Sequence, residues 1–226
     1  VVSTTAYTNW TVTKIFEAVY DPDCDAGTLG VETCDLTDGD EVPQPVLNRP
    51  LVVEHPTEED GFVIIMGTGS YVTSDDRTNT DIQSLYGIWD RLGPVLIEKT
   101  DLVKQEYTNL NDANFGVVRT LTSNEVDYSV SGNLGWYNDL RAVAAGDSQA
   151  VDPPEFPGEK AIRNIQLRGG LTFVNSVVPR IATSCTSAAG GFALAFCPGT
   201  GGLNCLGDSG IFDLNNDGLF NDDDKS

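Results

Sequence analysis

The chain has 226 residues, with 34 acidic side chains against 13 basic ones, a single histidine and a formal net charge of −21. That surplus of carboxylates repels nucleic acid and anionic membrane surfaces and favours cations. No run of about 18 apolar residues is present to span a bilayer, and the length suffices for one all-β domain with a sizeable core.

The opening VVSTTAYTNW carries no start methionine, basic region or apolar core. The expectation is a piece of a longer secreted chain whose export signal has been removed or lies upstream. Short segments rich in β-branched and aromatic residues, bounded by Gly, Pro, Asn or Asp, then follow one another as predicted strands. In chain order they are TVTKIFEAVY, LVVEH, FVIIMGTG, YGIWD, PVLIEKT, FGVVRTL, DYSVSGN, AIRNIQLR, LTFVNSVV, FALAF and IFDL. Short helices are expected only at NTDIQSLYG and near Leu140 to Ala145. Serial short strands with turn signals between them predict a sandwich, a barrel or a propeller, and the spacing of the GTG, YGIWD and RGG segments favours blades. No fixed-period repeat accompanies them.

Two stretches read as surface insertions. The first, at about 21–42, is acidic and glycine-rich and is bracketed by Cys24 and Cys34, whose pairing would close a loop that cannot pack unaided. The second is the proline-rich GDSQAVDPPEFPGEK. Neither is long enough to link independent domains. Of the three later cysteines, Cys185, Cys197 and Cys205, a Cys197 to Cys205 bridge is predicted, and disulfides agree with an exported protein. Zinc would want a tighter spacing and histidines that are absent.

The C-terminal DLNNDGLFNDDD, residues 213–224, sets oxygen donors at alternating places around a glycine. A hard cation such as calcium takes six to eight oxygens, which a short loop supplies from every second residue if a glycine lets the backbone turn. Asp213, Asn215 and Asp217 offer side chains, Gly218 the turn, Leu219 its carbonyl, Asn221 a direct or water-mediated oxygen and Asp224 the closing carboxylate. No amphipathic helices flank the loop, so a free-standing calcium loop is predicted rather than a helix-loop-helix hand. The competing account is a solvated acidic tail.

Catalytic alternatives are weaker. His55 ends the LVVE strand, where a surface histidine is the plainer account, and no GxSxG elbow accompanies it. Asp75 with Asp76, and Glu58 with Glu59 and Asp60, could be read as glycosidase acids, yet adjacent acids in turns are ordinarily solvated charge. GTGSY and GTGGLNCLG lack the lysine and helix of a phosphate loop. Trp10, Trp89 and Trp136 could line a binding groove, but Trp89 in YGIWD and Trp136 in GWY are expected in the core.

Taken in order, PQPVLNRPLVVEHP, GFVIIMGTGSYVTSDD, QSLYGIWD, GWYNDL, GEKAIRNIQLRGGLTFVNSVVP, a cysteine followed by GG, and FDLNNDGLFNDDD resemble the C-terminal domain of the PilY family of type IV pilus biogenesis and tip adhesin proteins. The match runs from about Pro43 to Asp224. The resemblance implies an all-β fold made of the C-terminal blades of a modified β-propeller, with acidic insertion loops and few short helices. In domain terms residues 1–226 would be the C-terminal part of one propeller, the insertion at about 21–42 and the calcium loop at 213–224.

The resemblance further implies a non-enzymatic, calcium-binding protein at the pilus of a Gram-negative bacterium, extracellular or on the cell surface. It would act in pilus assembly, extension and retraction control and surface adhesion, with pilin and minor pilin subunits and a host or abiotic surface as partners. Nucleic acid and membrane insertion are not expected. The family's loop ordinarily has an aspartate where this chain has Asn221, which lowers the charge at the metal. Family propellers are also longer, so the rest of the propeller or another copy is expected to complete the sheet. The alternative class is a secreted calcium-stabilised propeller enzyme, a quinone-dependent dehydrogenase or a hydrolase.

Overall fold

A computed structural model describes residues 12–21, 39, 41–57, 60–113, 115–129, 133–141, 143–144, 156–179, 190–203, 205, 212–213 and 217–219. Its centre is a sheet in the order β3-β4-β5-β9-β6, made of β3 (Leu51–Glu54), β4 (Phe62–Gly67), β5 (Ser84–Asp90), β9 (Gly135–Asp139) and β6 (Val103–Gln105). The first four strands run antiparallel, and β6 joins β9 in parallel. Two three-stranded sheets accompany it. One has the order β10-β7-β8, from Val143–Ala144, Tyr107–Asp112 and Gly116–Leu121. The other has the order β11-β12-β13, from Gln166–Arg168, Leu171–Asn175 and Ala193–Phe196. A short ladder pairs β1 (Val19–Tyr20) with β2 (Val42–Pro43), so it closes the two ends of the acidic insertion. Residues 22–38 and 40, and with them Cys24 and Cys34, lie outside the described residues, as do Trp10 and Cys185.

The period-two alternation of the central strands separates two apolar clusters. Val63, Ile65, Leu85, Trp89 and Trp136 face one side, where they meet Tyr107, Val174, Leu194 and Phe196 of the smaller sheets. Tyr86, Ile88 and Tyr137 face the other side, under Ile97, Leu102, Phe16 and Ala18. Burial of each such large side chain contributes on the order of 1.5–3 kcal/mol. The cover on the second side is made by non-ladder segments: Phe16 bridges to Ile97 and lays its ring 4.9 Å from Tyr86.

This explains where the predicted elements shift. NTDIQSLYG does not form a helix, because Leu85, Tyr86 and Ile88 are buried on both faces of β5 and no helical stripe could satisfy both sides. Only a single 3₁₀ turn, Asp75–Arg77, precedes it. Val143–Ala144 pairs with β7 as a strand where a helix was expected. TVTKIFEAVY is a ladder only at Val19–Tyr20, and PVLIEKT gives one bridge at Ile97 and a 3₁₀ turn at Lys99–Asp101. At Asp127 to Ser129 the chain turns, with the Asp127 carboxylate accepting the backbone N–H and hydroxyl of Ser129.

Trp136 shows how tightly the centre is made. A Cβ added to Gly87 would sit 2.2 Å from its ring, and one added to Gly201 would sit 2.3 Å away. Gly201 also holds φ +68°, so side-chain volume and backbone conformation both demand glycine there. Gly201 of the GTGGLNCLG run is therefore packed against an indole, and Trp89 and Trp136 are core, as expected.

Candidate functional site

The described part of the C-terminal acidic loop is small but informative. Asp213 accepts the backbone N–H of Asp217 on one carboxylate oxygen at 3.1 Å and that of Gly218 on the other at 3.0 Å. Asp217 in turn accepts the N–H of Leu219 at 2.7 Å. Gly218 takes φ +80°, a conformation that costs a side-chain-bearing residue and lets the loop double back. The first acid thus gathers the turn around itself, and each of its oxygens keeps lone-pair capacity after accepting one N–H. Asp213, Asp217 and the carbonyl of Leu219 are the described residues that could hold a cation. Asn215, Asn221 and Asp224 lie outside the described residues. Among the described residues no group of three or more His, Cys, Asp or Glu side chains is poised around one point.

Upstream of the loop the chain closes a disulfide hairpin. Cys197 pairs with Cys205 across a Cα–Cα distance of 5.8 Å, the pairing the turn-rich sequence predicted. Three consecutive carbonyls of this hairpin are captured by core side chains. Trp136 donates its indole N–H to Pro198, Tyr128 its hydroxyl to Gly199 at 2.6 Å, and Gln105 its amide to Thr200 at 2.9 Å. Burial raises the Tyr128 phenol above its ordinary value, which keeps it a donor.

Sequence reasoning missed two buried ion pairs. Lys99 reaches both carboxylate oxygens of Asp139 at 3.1 Å, beneath the ring of Tyr137 at 4.5 Å, while the Ser84 hydroxyl donates to the same acid. Ser84 also receives the amide of Gln44, whose Oε1 accepts the Tyr86 hydroxyl. Arg119 meets Glu159 through two parallel bonds of 2.9 and 2.7 Å, with its guanidinium 3.6 Å from the centre of the Phe192 ring. The hint was a charged residue inside a strand, Asp139 in GWYND and Arg119 in GVVRTL, but partners 40 residues away cannot be read from spacing.

The candidate catalytic groups fall out differently from their sequence reading. His55 is not a surface histidine: it is 8% exposed, with ring contacts to Trp89 at 4.4 Å and Tyr128 at 4.3 Å and a bond to Thr57. The strand-end imidazole is packed against those two aromatic rings. Asp75 and Asp76 do not act together. One oxygen of Asp76 accepts the N–H groups of Thr73 and Val72 and the hydroxyl of Ser70, and those bonds, Thr73 foremost, hold its carboxyl down to about 2. Glu58 and Glu59 lie outside the described residues. In GTGSY, Gly69 lies against Lys160, which donates to the Asn79 carbonyl and whose ammonium is pushed below its ordinary value chiefly by burial.

Comparison with known proteins bears on this arrangement. Residues 31–109 match the family model of the PilY1 beta-propeller domain. Two type IV pilus biogenesis factor PilY1 homologs of Xylella fastidiosa are similar, one 29% identical over 70% of this chain and 10% of its own length, the other 31% identical over 77% and 13%. PilY1 of Pseudomonas aeruginosa is 27% identical over 78% of this chain and 16% of its own length. The chain therefore spans about a tenth to a sixth of the curated relatives it matches. The crystal structure of the Pseudomonas aeruginosa PilY1 C-terminal domain superposes with a TM-score of 0.58 at 24% identity, over 78% of this chain and 35% of that one. That likeness is one of fold. The antiparallel sheets, with β6 and β10 each added in parallel, are blades of a modified β-propeller in a nearly all-β chain.

Proposed function

The chain belongs to the PilY1 β-propeller family, and from that premise we propose that it is the C-terminal propeller portion of a type IV pilus biogenesis factor that binds calcium and performs no catalysis. It acts at the pilus, outside the cell, in assembly, in the balance of extension and retraction, and in adhesion, with pilin and minor pilin subunits as partners. The relatives' names carry the pilus half of this reading. The observation that supports the calcium half is the Asp213 carboxylate folding Asp217 and Gly218 back onto itself.

In such a loop Asp213, Asn215 and Asp217 supply side-chain oxygens, Leu219 its carbonyl, Asn221 a direct or water-bridged oxygen and Asp224 the closing carboxylate. A bound calcium ion supplies positive charge that cancels repulsion among these acids. The chain's own part is to gather Asp213 and Asp217, through the amides that Asp213 holds and the turn at Gly218. Occupancy shifts a nearby surface only as far as the ion prefers one conformation of the loop over another.

Calorimetric titration of calcium into chelator-stripped protein tests the reading. Heat saturating at one ion per chain in the wild type, and lost in Asp217→Ala, is the expected result. A wild type that takes up no calcium removes the calcium half and leaves the family assignment standing.

A further inference from the structure

A cleft of about 380 Å³ opens on the covered side of the central sheet, between the 12–20 segment, the start of β2 and the 96–99 turn. It is lined by Lys14, Glu17, Val19, Glu41, Pro43, Leu96, Ile97, Glu98 and Lys99, and it is separate from the acidic loop at the C-terminus. Its volume lies near the lower end of the roughly 300–1,000 Å³ typical of ligand sites, enough for one long side chain and its flanks.

Two features define what would fit. The walls from Val19, Pro43, Leu96 and Ile97 are apolar and suit an aliphatic stem. The charge inside is negative once existing pairs are subtracted. Lys14 is committed to Glu17 at the rim, and the Lys99 ammonium is turned to Asp139 beneath the floor. Among the described lining residues no cation is left to compensate Glu41 and Glu98. In a chain of net charge −21 the field around the mouth draws cations as well.

We propose that this cleft is a docking pocket for a lysine or arginine side chain presented by a polypeptide partner, with the stem between Leu96 and Pro43 and the cationic head at Glu41 and Glu98. A polypeptide is favoured over a free amine because apolar surface continues beside the pocket. Leu96 is 52% exposed and its neighbour Val95 42%, giving residues flanking the docked side chain something to cover. The site owes nothing to calcium and stands whether or not the acidic loop binds it.

The test uses the 226-residue chain in chelator, titrated by calorimetry and by amide NMR with a blocked pentapeptide, acetyl-Ala-Leu-Lys-Leu-Ala-amide, its glutamine counterpart and spermidine. The lysine peptide should bind about tenfold more tightly than the other two, shift the amides of Leu96, Ile97 and Glu98, and lose that advantage in Glu41→Gln/Glu98→Gln. Equal affinity for the lysine and glutamine peptides, or no binding of either, overturns the proposal. Spermidine binding as tightly as the lysine peptide also overturns it, since the pocket would then select charge alone. The peptide comparison needs no variant, so it decides the matter even if the double substitution fails to fold.

Discussion

The central sheet and the C-terminal loop both hold carboxylates, but they satisfy them in opposite ways. Inside the blades two buried acids are matched by cations of the chain itself: Lys99 for Asp139 and Arg119 for Glu159, with side-chain exposures of 1% and 5% in one pair and 3% and 0% in the other. At the loop, Asp213 and Asp217 lie toward solvent and are met by backbone N–H groups. The first arrangement is complete without any ion. The second leaves oxygens to spare and gathers acids that repel one another, which is the condition under which an external cation adds stability.

The sharpest way to break the comparison is to remove a cation from the blades. Arg119→Met takes the guanidinium from among Tyr107, Phe156 and Phe192 and leaves Glu159 fully buried without its partner, and the expected destabilisation is about 3–5 kcal/mol in chemical denaturation. Arg119→Met with Glu159→Leu should recover most of that loss, because well-packed apolar residues can replace a buried pair. A double variant as unstable as the single one would mean that the stacking of the guanidinium, and not the pairing, is what the site needs.

Lys99→Met should cost less, about 2–3 kcal/mol, since Asp139 keeps the Ser84 hydroxyl and can take up a proton. Its stability should also fall more steeply as pH rises than that of the wild type, because the unpaired acid must then be buried ionised. A loss that does not change with pH would place the effect in packing under Tyr20 and Tyr137 rather than in charge.

The Cys197–Cys205 hairpin lies in sequence between the blades and the loop, and removing its bridge tests what positions the hairpin. Closing so short a loop is worth about 2–3 kcal/mol by the chain-entropy model. Cys197→Ser/Cys205→Ser should lower stability by that amount yet leave the Trp136, Tyr128 and Gln105 bonds to the hairpin intact. Unchanged tryptophan fluorescence beside a lowered melting temperature is the expected pair of readings. A shifted emission maximum would show that the bridge, and not those three donors, positions the hairpin.

Legibility in the sequence divides along the same line. Strands with alternating or continuous apolar residues, Leu51–Glu54, Phe62–Gly67, Gly116–Leu121, Leu171–Asn175 and Ala193–Phe196, were visible because burial imposes the period. Ser84–Asp90 is legible only from Tyr86 onward, since the pairing with β4 and β9 that buries Ser84 is long-range. Val103–Gln105 and Tyr107–Asp112 are not legible: the first owes its ladder to β9, and the second, in EYTNLND with its few apolar residues, to β8. The turn at Gly218 beside Asp213 is legible because its donors and acceptors are local. The ion pairs were not, because their partners meet only once the sheets are assembled.

At the loop itself, calcium should raise the melting temperature of the wild type, and at a free concentration about a hundredfold above Kd the gain would be about 2.7 kcal/mol. Asp217→Ala should lose that gain in calcium and differ little from wild type in chelator. Equal destabilisation in both conditions would make the loop a local turn that needs no ion.

Asp76 provides the smallest effect and the finest distinction, because it too is met by amides yet belongs to the blades. Its carboxylate accepts Thr73, Val72 and Ser70 and ends a turn with no calcium motif around it. The carboxyl is held at about 2 against an ordinary 3.8, so the ionised form is favoured by the folded turn. The stabilisation is therefore present above the ordinary value and disappears as pH falls through about 2. A carbon-detected NMR titration should place the Asp76 midpoint near 2, with the amides of Val72 and Thr73 moving at the same pH and neither responding to calcium. A midpoint at 3.8, or amides that shift on adding calcium, would erase the distinction between acids that the fold satisfies and acids that it leaves for an ion.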